Sequence, residues 1–262
     1  MGAQDLTLLS LASLLVFLIP VFWINRKLNL SINTALGVAI VRMCLQLSFV
    51  GLYLEFLFRF NSAWLNVAYL LIMVSIACHS IILSSNLKVR LFFIPVFFSL
   101  FIPFSIVLLF FNGVVVRIDN LFEAKYLIPI GGMLLGNCLR SIIVGLDRFY
   151  SGVHKDEKTY QYSLSLFGSR IPALKPYFKE SFLAAIAPRI ASMATIGLVS
   201  LPGMMTGQIL GGSIPIVAIK YQIAIMFSIF YTEYFSTILS ILFSLNVGFN
   251  KMDGLNKTIF KP

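Results

Sequence analysis

Ionisable and amide side chains buried in long apolar runs are the first candidates for chemistry in this chain. Arg42 and Gln46 stand four residues apart, so a helix places them on one face. Asn137 and Arg140 lie in another run, with Gly132 and Gly136 on the same side, and Glu233 lies deep in a third. A charge at membrane depth costs about 3 kcal/mol or more unless it is paired or faces water. Such groups therefore either lock helices together or line a pathway. Glu233 is the acid of this set, and its expected partner is Arg42 or Arg140. A further stretch, "LVSLPGMMTGQILGG" from Leu198 to Gly212, gives up helix propensity inside an apolar run. Pro202 interrupts a helix there. Gly203 and Gly207 form a G-x-x-x-G spacing that lets two backbones approach, as Gly132 and Gly136 do. Thr206 and Gln208 add polar atoms, and the stretch reads as a broken, closely packed helix bordering a pathway. Met204 and Met205 are the metal candidates, since thioethers suit soft ions, although methionine also fills gaps in packing.

Other chemistries lack their residues. The sequence has no G-x-x-x-x-G-K-[ST], no H-E-x-x-H and no G-x-S-x-G. His79 and His154 have no ligand at chelating spacing, and Cys44, Cys78 and Cys138 are too scattered for a disulfide framework. No catalytic residue and no bound cofactor is expected, and any ATP chemistry belongs to a partner chain.

The elements that must position these residues are membrane helices. The 262 residues are 59% hydrophobic and 11% charged, well away from a soluble domain. A +10 formal charge in such a chain sets orientation rather than binding nucleic acid. A bilayer core of about 30 Å takes about 20 helical residues. Seven runs qualify: Leu6–Ile24, Asn33–Phe58, Ala63–Ser84, Leu91–Gly113, Leu127–Phe149, Phe182–Gly207 and Ile216–Leu245. The first lacks a basic leader and a cleavage site before Arg26, so no cleavable signal peptide is expected. Thirteen Lys and Arg fall on one side of these spans, in the loops near Arg26, Lys88 and Lys155 and in the tail. Four fall on the other: Arg59, Arg117, Lys125 and Lys220. The N-terminus is expected outside and the C-terminus in the cytoplasm.

In the fifth run, Leu134, Leu135, Cys138, Leu139 and Ile142 occupy the half opposite Arg140 and are expected to face lipid. The connection over residues 150–181 is polar and cytoplasmic. Tyr160, Leu164, Phe167 and Ile171 share a helical face there, and Gly168 with Pro172 breaks it into two helices. This segment either docks a soluble partner or lies as a solvated connector. The expectation is one all-α transmembrane domain over residues 1–262, with about seven spans and a cytoplasmic segment.

Four stretches carry a resemblance. "VRMCLQLSFVG" (41–51), "YLIPIGGMLLGNCLRSIIVGLDR" (126–148), "GLVSLPGMMTGQILGG" (197–212) and "IKYQIAIMF" (219–227) closely resemble the FetB/YbbM family of ABC-transporter permeases. The resemblance runs in order through nearly the whole chain. It implies a permease homodimer in the plasma membrane, the inner membrane in bacteria, working with a separate ATP-binding cassette subunit. Bacterial members are assigned to iron export; plant relatives are linked to aluminium tolerance, with a nucleotide sugar as an alternative cargo. A membrane scaffold that transports nothing is the reading from a different class. On this resemblance Pro202, Gly203, Met204, Met205, Thr206, Gly207 and Gln208 border the pathway or the permease seam. Arg42, Gln46, Gly132, Gly136, Asn137 and Arg140 form a polar lining or lock, and Phe167 and Gly168 couple to the ATPase. Two departures stand out: the aromatic "TYQYSLSLFG" before the loop break, and Glu233, where a small apolar residue is expected.

Overall fold

The protein is described here by a computed structural model over residues 7–250 and 252–261. The predicted start of the first span at Leu6, and Lys251 of the tail, lie outside the described residues. Among these the chain is helical, with isolated bridges and no strand. α1 (Leu8–Ser13) passes through a 3-10 turn into α2 (Leu18–Lys27). There follow α3 (Asn33–Phe60), α4 (Ala63–Ser84), α5 (Val89–Phe110, extended by a π-helical turn to Val116) and α6 (Ala124–Lys155). The remainder is α7 (Glu157–Phe167), α8 (Arg170–Thr195), α9 (Gly203–Leu210) and α10 (Pro215–Gly248).

Six segments are long and apolar enough to cross a membrane: Ser10–Lys27, Asn33–Phe60, Ala63–Ser84, Val89–Val116, Ala124–Lys155 and Pro215–Gly248. The expected span Phe182–Gly207 is not one helix. Arg170, Lys175, Lys179 and Glu180 occupy the first half of α8 and Arg189 the second, so no membrane-length window in it is purely apolar. The helix then stops at Thr195, because Gly197 takes a left-handed φ of 85° and Pro202 excludes helical backbone from the residue before it. α9 restarts behind Pro202. α8 still makes the remaining passage along the bundle. It begins beside the C-terminal end of α10, where Arg170 donates to Asn246 at 2.7 Å, and the chain must reach the opposite end before α10 can start.

α6 and α10 form the centre, with α4, α5 and α8 packed around them. Phe92, Phe104, Phe111, Phe149 and Tyr150 are fully buried in this core. The Tyr150 hydroxyl reaches Ser244 Oγ at 2.8 Å, and its ring meets Phe92 edge-on. Small residues set the spacing of the two central helices. Ser228, Thr232, Ser236, Ser240 and Ser244 recur every fourth residue of α10, and all are buried. A Cβ added to Gly145 of α6 would sit 2.9 Å from Thr237 Cγ2.

α3 stands apart. Every residue from Val41 to Val50 is exposed, and Leu57 is the buried residue of the helix. Its end is pinned by Asn61, which sits at a left-handed φ of 38° and accepts from the Ala124 amide at 3.0 Å.

At the other end of the bundle the tail folds back. The Lys88 amide donates to Ile259 O at 2.8 Å, and the Lys261 amide donates to Asn86 O at 3.0 Å. Tyr160 of α7 donates to Asp253 O at 2.6 Å, Lys257 pairs with Glu157 at 2.9 Å and Arg170 approaches Asp253 at 3.7 Å. Burial pushes the Tyr160 phenol up to about 12, so it remains a donor at neutral pH.

The close approach of α6 and α10 makes a specific prediction. Gly145→Ala should force Thr237 or α10 outward and cost about 1–3 kcal/mol, read as a lower thermal unfolding midpoint of the detergent-solubilised protein.

Candidate functional site

The polar centre of the bundle is a three-helix knot. Arg189 of α8 donates from Nε to Glu233 Oε2 at 2.6 Å and from Nη2 to Glu233 Oε1 at 2.8 Å. The same Nη2 donates to Asn137 Oδ1 of α6 at 2.6 Å. Asn137 is itself held by its Nδ2, which donates to Met133 O at 2.8 Å. Glu233 is 2% exposed at its side chain and Arg189 16%, so this is a buried, bidentate ion pair with a third ligand. The expected partner of Glu233 was Arg42 or Arg140; it pairs with neither, and Arg189 takes that place. The physical reason is placement: Arg42 lies on the detached α3 and Arg140 points from α6 toward the surface, whereas α8 packs against both α6 and α10. Arg189 is the functional candidate that sequence reasoning missed. The available signal was that Arg189 falls inside the sixth predicted span, 44 residues before the acid.

The knot opens onto a cavity of about 610 Å³, lined by Arg140, Ser141, Ile143, Val144, Ala184, Ala185, Pro188, Arg189, Ser192 and Glu233. Arg140 is exposed on its rim, and no ion-pair partner approaches it among the described residues. This corrects the reading of α6. Leu134, Leu135, Cys138 and Ile142 do not face lipid but are buried in the protein core, while Gly136 and Arg140 are on the exposed side. The helix is amphipathic as expected, with the apolar half turned inward because the core lies between α4, α6 and α10.

The other expected residues are spread out. Arg42 and Gln46 line a shallow surface of α3 alone, far from a closed site. In α9, Met205 is buried and Met204 packs partly against the core, while Gly203 and Gly207 are exposed. Among the described residues, and apart from the helix's own backbone, no atom lies within 4 Å of a Cβ built on Gly136, Gly203 or Gly207, and the one on Gly132 meets Met73 Cε at 3.3 Å. Neither glycine pair holds two helix backbones together within the protomer. Thr206 bonds back to Pro202 O at 3.2 Å, and Gln208 Oε1 is buried without a partner. The structure thus does not bring the methionines to the ion-pair knot.

At the tail end, α7 stops at Gly168, whose φ of 66° is left-handed, and α8 leaves at a corner. The expected shared face divides. Tyr160 is buried and Leu164 packs inward, but Phe167 and Ile171 are 56% and 74% exposed. With Tyr162 and Leu166 they give the corner an apolar outer surface.

These features sit on a chain whose residues 8–249 match the family described as "Uncharacterised protein family (UPF0014)". The protein belongs to that family of membrane proteins. A UPF0014 membrane protein of Synechocystis is 33% identical over 75% of this chain and 76% of its own length. Protein ALUMINUM SENSITIVE 3 of Arabidopsis thaliana is 32% identical over 82% of this chain and 77% of its own. The "Probable iron export permease protein FetB" of Escherichia coli is 29% identical over 100% of this chain and 99% of its own. No solved structure matches. With six membrane-length helices, this UPF0014 chain is a multi-pass membrane protein.

The knot predicts non-additive stability. Arg189→Met or Glu233→Leu alone strands the opposite charge in the interior and should cost about 3–5 kcal/mol, whereas the double change should recover most of that loss. Thermal unfolding of the four proteins measures the coupling. Singles as stable as the parent would mean that the pair does not fasten α8 to α10.

Proposed function

We propose that this UPF0014 protein is the permease subunit of an ABC transporter, working as a homodimer with a separate ATPase and exporting a metal ion, iron foremost. The observation that carries the reading is the apolar corner between α7 and α8, with Tyr162, Leu166, Phe167 and Ile171 turned outward at the end of the bundle richest in Lys and Arg. That charge distribution supports a cytoplasmic location for the corner and the C-terminus. Exposed aromatic and aliphatic side chains at a helix–helix corner suit insertion into a groove of a soluble partner. The absence of a P-loop from the sequence agrees with hydrolysis on another chain. Full-length similarity to a protein named a probable iron export permease supports the cargo.

The homodimer rests on surfaces that the protomer leaves uncovered. The exposed face of α3 carries Arg42 and Gln46 among apolar side chains, a charge that is costly in lipid, and the glycine face of α9 is open for close backbone approach. In this reading Gly203 and Gly207 meet a second copy, and Pro202 permits the seam to move. An organic cargo is the second reading, favoured by the unpaired Arg140 on the central cavity.

Two outcomes test these proposals. Phe167→Asp combined with Ile171→Asp, both on exposed side chains, should leave insertion and folding intact while reducing capture of a co-expressed ATPase by about tenfold or more. Undiminished capture and ATP turnover would remove the corner from the dock. Because no atom of the described residues outside the helix's own backbone lies within 4 Å of a Cβ on Gly207, Gly207→Leu should keep the protomer's thermal midpoint but weaken self-association, measured by crosslinking in native membranes. Unchanged self-association would place the seam elsewhere.

A further inference from the structure

The central cavity is richer in free hydrogen-bond donors than in free acceptors, and this biases what it can hold. Both oxygens of Glu233 already accept from Arg189, and Asn137 Oδ1 accepts from the same guanidinium. Asn137 Nδ2 is committed to Met133 O. On the donor side, Arg189 Nη1 has no acceptor among the described residues, and neither does any nitrogen of Arg140. The Ser141 and Ser192 hydroxyls on the same wall form no hydrogen bond among the described residues. The charges add the same preference. Arg189 and Glu233 cancel each other, and Arg140 leaves the wall with one net positive charge. A bare divalent cation needs oxygen, nitrogen or sulfur acceptors. Here the only carboxylate is already bidentate, and no cluster of three His, Cys, Asp or Glu exists among the described residues.

We infer that the cavity between α6 and α8 binds an oxyanion, a carboxylate or phosphate group of a small molecule, with Arg140 and Nη1 of Arg189 as its forked donors and Ser141 and Ser192 beside them. Guanidinium groups match the geometry of both oxyanions, and charge-assisted bonds of this kind are the strong ones. A cavity of about 610 Å³ is in the range that takes a small organic ligand. The substrate class of the proposed transporter changes accordingly. The metal ion travels as a complex presenting carboxylate or phosphate oxygens outward, or the cargo is itself a phosphate-bearing organic molecule. This extension rests on the permease reading, but oxyanion binding does not. The site is a property of this chain without ATPase or turnover.

The experiment is equilibrium binding to the purified full chain in lipid nanodiscs, with four probes: citrate, iron(III) citrate, pyrophosphate and bare Fe(II). Citrate, iron citrate or pyrophosphate should bind, and bare Fe(II) should not compete. Preference for iron citrate identifies a carboxylate-chelated metal; preference for pyrophosphate identifies a phosphate-bearing organic molecule. Arg140→Gln should weaken the bound oxyanion by about tenfold or more, as expected for losing a charge-assisted fork, and Arg140→Lys should restore only part. Arg140 is exposed and unpaired, so both variants should keep the parent's thermal midpoint; an unfolded Arg140→Gln would contradict that assignment and is checked before binding is read. Binding of bare Fe(II) that Arg140→Gln tightens would overturn the inference. So would oxyanion affinity that neither Arg140 variant changes. Failure of ATP-driven transport with oxyanion binding intact would count against the permease reading alone.

Discussion

The rest of the bundle is arranged around the removal of one carboxylate from both water and lipid. Glu233 is buried among apolar helices, and a guanidinium meets both of its oxygens there, the pairing that a buried carboxylate needs. That requirement fixes α8 against α10, and the Asn137 amide brings α6 into the same contact. The small hydroxyl residues of α10 and Gly145 of α6 then let the helices close to the distance the pair needs. Pro188, directly before Arg189, removes a backbone donor from α8 at the level of the knot. A helix weakened there can change its course without dismantling the remainder of the core.

Polarity is distributed in an uncommon way for a membrane bundle. The apolar half of α6 is the buried half, and Gly136 and Arg140 face outward. α3 is attached chiefly by its C-terminal end, through Leu57 and Asn61, and leaves its midsection bare. A lone protomer therefore exposes Arg42, Gln46 and Arg140 at membrane depth, each of which is costly in lipid. Covering them by a second copy, or lining a water-filled passage with them, removes that cost. The same physics that makes these residues conspicuous in the sequence makes the single chain look unfinished.

Much of the fold was legible from hydropathy because backbone satisfaction in lipid leaves few alternatives to the helix. Ala63–Ser84 matches its predicted span residue for residue, and Asn33, the start of α3, was read correctly. The break near Pro202 and the corner at Gly168 followed from local backbone chemistry. The sixth span was not legible as drawn, because its run of apolar residues crosses a stop that depends on Gly197 as well as Pro202. The partner of Glu233 was also hidden. Helical periodicity sorts residues by face, but which face of α6 turns inward depends on where α10 packs, and pairing across 44 residues depends on three helices at once. Periodicity likewise grouped Tyr160 with Phe167, although the tail covers the first and leaves the second bare.

The returning tail also fastens the corner. During synthesis residues 252–261 emerge after all ten helices, yet they supply the acceptor for Tyr160, the cation for Glu157 and the strand-like bridge to Leu87. Without them, α7 keeps its packing on α8, a short contact with α6 and the Tyr160 ring against Phe249. The corner that faces the cytoplasm in our proposal and the returning tail are thus one unit: α7 is set in place by residues far downstream of it, and whatever loosens the tail loosens the corner as well.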